Sequence, residues 1–164
     1  MEVAAAAAQL CELRPAAIVT AQVADLTEME DQRRFGVLVR SASGAGFHVL
    51  CLGGRGQDGD QIWPQRFLAV LGRRAGEAAL RAWAVQSRQV YGQEVVIFKS
   101  ARCTQLLFES GRTEIWPGFS LDLVTKAYER SRGRGTLTLD RALVLSPAAF
   151  GFASIIGRWP SCGA

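Results

Sequence analysis

One histidine, His48, is all the imidazole this chain of 164 residues has. Its four cysteines, Cys11, Cys51, Cys103 and Cys162, stand far apart, with no CxxC pair among them. A tetrahedral zinc site needs clustered thiolates and imidazoles, so this spacing excludes one. A secreted disulfide framework uses cysteine more densely. The thiols are therefore expected to be reduced, several of them in the core, in a nuclear or cytosolic protein. Long apolar runs are lacking too. The stretch from Ala142 to Ile156 is broken by Pro147 and Gly151 and is short for a bilayer span. No basic residue precedes the alanines that follow Met1-Glu2-Val3, so a signal peptide is not expected.

Catalytic signatures are equally scarce. Gly53-Gly54-Arg55-Gly56 lacks the Gly-Lys-Ser/Thr that completes a phosphate loop. No GxSxG elbow is present. His48 and Cys51 lie three apart on an expected strand, which points their side chains to opposite faces and separates a base from a nucleophile. Asp58 and Asp60 have no evident base beside them. These absences lead to the expectation of a protein that is not an enzyme and takes no cofactor, metal or small-molecule substrate.

What is present is a globular composition. Apolar residues make up 49% of the chain, enough for a core, and the length suits one domain. The formal charge of +4 permits a polyanionic partner without requiring one.

Along the chain, residues 1–14 are rich in alanine and suit a short helix ended by Pro15. Residues 17–24 read as a first strand, with Ile18, Val19 and Val23. An acidic bend at Glu28, Glu30 and Asp31 follows. Arg34 to Ser41 alternates, with Phe35, Val37 and Val39 on one side. It is expected to pair, across the turn Ser43-Gly44-Ala45-Gly46, with Phe47 to Leu52. Residues 53–61 read as a glycine- and aspartate-rich loop. From Pro64, the spacing of Phe67, Leu68, Leu71, Ala75, Ala78, Ala79, Ala82 and Trp83 predicts a helix, weakened by Gly72 and Gly76. Strands follow at 94–99, 105–108 and 113–116. Leu121 to Tyr128 suits a helical turn or two, Thr136 to Leu145 a strand, and 147–164 shows no clean period.

This order predicts a mainly β fold, a five-stranded OB-type Greek-key barrel with a helix between strands 3 and 4. The domain is expected over 15–119, with 1–14 as an N-terminal segment and 120–164 as a less regular C-terminal tail. The stretch Tyr91-Gly92-Gln93-Glu94-Val95-Val96-Ile97-Phe98-Lys99-Ser100-Ala101-Arg102 looks like the fourth-strand entry of such domains. Leu106-Leu107-Phe108-Glu109-Ser110-Gly111-Arg112-Thr113-Glu114-Ile115-Trp116-Pro117 looks like the closing strand. In these phrases the chain resembles OB domains of the large subunit of replication protein A and its meiotic and repair relatives. The resemblance implies binding of single-stranded DNA, or assembly into a genome-maintenance complex with protein partners, in the nucleus. A shortened product of a longer protein with several OB domains is a further possibility.

A single-strand groove needs cations for phosphates and flat rings for bases, each stacked ring contributing about 1–3 kcal/mol. On the expected barrel this nominates Arg33, Arg34, Arg40 and His48 from the hairpin. Lys99, Arg102 and Arg112 join from the later strands, with Trp116 as a stacking ring. Phe47, Trp63 and Trp83 are assigned to packing. The acidic residues Glu28, Glu30 and Asp31 oppose phosphate binding in the loop where they are expected. They support the alternative, a protein–protein interaction module without direct nucleic-acid contact. The apolar residues Phe150, Phe152, Ile155, Ile156 and Trp159 of the tail support it as well, because so apolar a segment requires burial.

Overall fold

A computed structural model of the chain describes residues 14–23, 26–72, 76–100, 102–120, 122–132 and 136–144. The alanine-rich residues 1–13, the link residues 133–135 and the apolar segment 145–164 lie outside them.

Seven strands form one antiparallel sheet: β1 (Ala16–Val19), β2 (His48–Asp58), β3 (Gln61–Leu71), β4 (Val95–Lys99), β5 (Thr104–Phe108), β6 (Thr113–Trp116) and β7 (Thr136–Val144). Three helices accompany them: α1 (Glu28–Gly44), α2 (Gly76–Val90) and α3 (Asp122–Arg132). The spatial order is β6-β5-β4-β1-β3-β2-β7. The fold is mainly β, as expected. The sheet is open rather than a closed five-stranded barrel, and β6 and β7 are its two edges. Its first six elements, β1-α1-β2-β3-α2-β4 with strand order β4-β1-β3-β2, have the split βαβ connectivity of ferredoxin-like folds.

Two apolar layers explain why the sheet stays open. Side chains alternate across a strand. Ala17, Val19, Cys51, Leu68, Val70 and Phe98 point to one face, where Phe35, Leu38 and Val39 of α1 and Leu80 and Ala84 of α2 cover them. Ile18, Leu50, Leu52, Phe67, Ile97 and Leu106 point to the other, where Val124, Ala127 and Tyr128 of α3 cover them. The central strands are apolar at successive positions because both faces are buried. A barrel has only one inner face to fill.

The segment expected as the first half of a hairpin, Arg34 to Ser41, is the body of α1. Its start explains the difference. Thr27 caps the helix: its Oγ1 accepts from the Glu30 backbone N–H at 3.2 Å, and Glu30 Oε2 accepts from the Thr27 N–H at 3.0 Å. This reciprocal capping box satisfies two otherwise orphaned donors. The buried positions Asp31, Phe35, Leu38, Val39 and Ala42 then follow the helical period, leaving Val37 exposed. The acidic bend is thus the first helical turn. At the far end the Phe47 N–H reaches Ala42 O and the Gly46 N–H reaches Ser43 O, with Gly46 at φ 84°. This is a Schellman stop, which needs a left-handed residue and finds it in glycine.

The expected loop 53–61 and the front of the expected helix form a second correction. They are the long β2–β3 hairpin, paired from His48↔Leu71 to Asp58↔Gln61. Two of the three glycines in β2, Gly54 and Gly56, sit where neighbours leave no room for a side chain. A Cβ at Gly54 would collide with the Thr138 carbonyl of β7. One at Gly56 would collide with the Trp63 indole and the Tyr128 hydroxyl. The register with β7 also shifts between Gly53 and Gly54, a bulge that glycine tolerates.

Pro64 survives within β3 because β1 pairs no further along it than Leu68. Beyond that point side chains replace the ladder. Thr20 Oγ1 donates to Arg66 O at 2.8 Å, Gln22 Nε2 donates to Pro64 O at 2.7 Å, and Gln22 Oε1 accepts from the Arg66 N–H at 3.1 Å.

Residues 122–144, expected as part of a tail, contribute α3 to the second apolar layer and β7 to the sheet edge.

Candidate functional site

The eight residues expected to bind nucleic acid fall at several separate places. Arg33, Arg34 and Arg40 ride on α1, where Arg33 and Arg40 are exposed. Arg34 has a fixed job within the fold. Its Nε donates to Ala21 O at 2.9 Å, its Nη2 to Tyr91 O at 3.2 Å, and its guanidinium lies 5.3 Å from the Tyr91 ring centre. His48 opens β2 and belongs, with Leu50 and Leu52, to the opposite face from α1. Lys99 is buried at the end of β4, and its Nζ donates to Arg14 O at 3.1 Å. Arg102 is exposed in the β4–β5 turn. Arg112 lies in the β5–β6 turn, 3.4 Å from Glu114, with its guanidinium 4.3 Å from the Phe108 ring centre. Trp116 stands at the other end of β6, packed against the second apolar layer with Lys126 Nζ 5.1 Å from its ring centre. Arg112 and Trp116 share a sheet face and Arg33 and Arg40 share a helix; the eight do not line one groove.

The residues assigned to packing do pack. Phe47 is buried and meets Trp83 edge-to-face at 5.8 Å, and Trp83 Nε1 donates to Ser41 Oγ at 3.0 Å. Trp63 lies against Gly56, with its Nε1 donating to Gln65 Oε1 at 3.3 Å.

Two buried cations tie the helices to the sheet. Arg66 Nη1 of β3 meets Asp31 Oδ2 of α1 at 2.9 Å, nearly excluded from water. Burial pushes the Asp31 carboxyl up from its ordinary range, while the Arg66 and Arg34 cations pull it back. Arg88 of α2 donates from Nη1 to the carbonyls of Leu107 and Phe108, at 3.2 and 2.9 Å. Cys51 is free and buried beside Arg66, and its burial raises the thiol far above its ordinary value, so it is inert as a nucleophile. Cys103 is free and half-buried.

Among the described residues a cleft lies beneath α3, where β3, β1 and β4 meet on the second face. It holds about 50 Å³ of free space. Its floor and walls are Ile18, Phe67, Ile97, Val124 and Ala127, with Gln65 and Tyr128 as buried polar members. Phe67 and Tyr128 meet edge-to-face at 6.5 Å. Its rim carries Thr20, Gln93, Glu94 and Val95, of which Glu94 is exposed. Gln93 is held in place: its Nε2 donates to Gln22 O at 2.8 Å and to Tyr91 O at 3.2 Å, which leaves its side-chain oxygen as the acceptor. It is set there by a second Schellman stop, in which the Gln93 N–H reaches Arg88 O after Gly92 at φ 63°. Among the described residues, Glu94 is the one charged residue lining the cleft.

Sequence reasoning did not single out Gln65, Gln93, Glu94 or Tyr128 as site residues. Glu94 stood inside a quoted strand phrase, but only the placement of α3 across the sheet turns that strand end into a rim.

Among the described residues no group of three or more His, Cys, Asp or Glu is placed to hold a metal ion, and no helix is long and apolar enough to cross a membrane. Comparison with protein-family models, with curated proteins and with solved structures returns no match.

Proposed function

We propose that the domain is a protein-interaction module that receives a partner's side chain in the cleft beneath α3. The observation that carries this reading is the character of the cleft, whose described residues give it apolar and aromatic walls, amide and hydroxyl groups, and one acidic residue as the sole charge among them. Such a site repels a phosphate and accepts an apolar or cationic group.

Support for the alternative, single-stranded DNA, weakens at the same place. Sheets that bind single strands offer exposed rings on an open face. Here α3 covers that face, and Phe67 and Phe108 of the sheet are buried in one apolar layer with Tyr128 of the helix. Two of the nominated cations, Arg34 and Lys99, are spent on backbone carbonyls. Genome-maintenance complexes remain one setting in which such a module would act.

A photo-crosslinking residue placed at position 94 of the full chain, in its native cells, tests the reading. The expected result is a defined protein adduct at 94 that is absent when the same residue replaces exposed Ala79 of α2. Nucleic-acid adducts at 94, or the same adducts at both positions, would overturn it.

A further inference from the structure

We infer that the cleft beneath α3 is an anchor site for a lysine side chain of the partner. The inference rests on the interaction reading above and names the chemistry of its contact.

Size comes first. A water needs roughly 10–15 Å³ of such free space. The 50 Å³ here therefore suits about four non-hydrogen atoms. The lysine stem from Cβ to Cε has that number and leaves the ammonium at the rim, whereas arginine carries a planar guanidinium that exceeds it. A methionine or leucine would also fit by volume, and charge decides between them. Glu94 lines the same rim as Gln93, whose two donated bonds hold its amide in position, and Thr20.

Lysine buries its methylene stem on apolar surface while its ammonium stays wet. The cleft matches that division. Ile18, Phe67, Val95 and Ile97 offer the stem apolar contact, and the exposed Glu94 offers the ammonium a carboxylate in water. The head need not be fully desolvated, so the penalty of a buried ion is avoided. A phosphorylated or acidic side chain meets the reverse: a carboxylate at the rim and no cation among the described lining residues.

The test is a two-dimensional NMR titration of the full chain with Nα-acetyl-lysine N-methylamide. Nα-acetyl-norleucine N-methylamide, which keeps the apolar stem and lacks the ammonium, and the arginine analogue serve as comparisons. The expected result is saturable shifts at Val95, Ile97, Val124 and Ala127 with the lysine probe. Because Glu94 is exposed, its contribution is modest: Glu94→Gln and the norleucine probe should each weaken binding by about three- to fivefold. Glu94→Lys should weaken it further. Glu94 is exposed at a strand entry, so both variants are expected to fold. Equal binding of norleucine, tighter binding of arginine, shifts elsewhere, or indifference to Glu94→Lys would each overturn the inference. Failure of the broader reading looks different. A partner crosslinked at position 95 equally in wild type and Glu94→Lys removes the lysine anchor and keeps the interaction module. A chain that crosslinks to no protein removes both.

Discussion

At Gly56 a single hydrogen atom separates a folded strand from a collision. The residue faces the Trp63 indole across β3 and the Tyr128 hydroxyl across the helix layer, and a methyl group would strike both. Neither ring lies at the loose end of a flexible chain, so the strain has no cheap outlet. Gly56→Ala is expected to destabilise the protein by about 1–3 kcal/mol, the usual range for overpacking. Urea denaturation measures it, and an unchanged midpoint would refute the contact. Asp31 and Arg66 carry a second prediction at this scale. The raised Asp31 carboxyl holds its proton more tightly in the folded chain than in the unfolded one. The folded state therefore binds more protons upward from about pH 4, and stability falls as pH climbs from there through the folded value. Arg66→Met removes the larger of the two downward pulls, raising the folded value again. Its stability should fall more steeply with rising pH than that of the wild type. At neutral pH the loss should approach the roughly 3–5 kcal/mol of a broken buried pair. Parallel pH profiles for the two proteins would contradict this.

At the scale of elements, capping outweighs alternation. Arg34 to Ser41 has β-branched residues at alternate positions, and on that ground it suggests a strand. Thr27 and Glu30 stand seven and four residues earlier and decide otherwise, because their capping box starts a helix whose buried positions recur at 31, 35, 38, 39 and 42. Thr27→Ala should cost about 1 kcal/mol, read from the denaturation midpoint, if the cap contributes as caps usually do. β4, β5 and β6 were legible in the sequence almost to the residue, since short apolar runs between turn residues admit little else. β7 and the start of α3 were legible in outline. The β2–β3 hairpin was not, because its glycines imitate a loop. The neighbours that require glycine at 54 and 56 include Thr138 and Tyr128, which lie more than 70 residues away in the chain. The front of the expected helix failed for a related reason. Phe67, Leu68 and Leu71 fit a helical period, yet all of Phe67 to Leu71 is buried because both faces of β3 are covered.

For the whole molecule, the mainly β character followed from the sequence, while the closure of the sheet did not. Closure depends on whether one or two faces are buried, and α3 is the element that buries the second. The same helix converts an expected nucleic-acid face into a covered one and leaves the cleft with its carboxylate rim. The nominated cations and Trp116 were read as a groove on the premise of a barrel; on an open sheet with helices on both sides they occupy different faces and ends. The direct measurement is fluorescence anisotropy of a labelled oligothymidine of about 30 nucleotides, well beyond the roughly 4–16 that one single-strand groove covers, titrated with the full chain at two salt concentrations. The interaction-module account predicts no saturable binding at low salt up to tens of micromolar, within the usual nonspecific range of about 10⁻⁴ to 10⁻⁶ M. Saturable binding that weakens with salt, and weakens again in the Arg33→Ala, Arg40→Ala double variant, would contradict it and return the domain to single-stranded DNA.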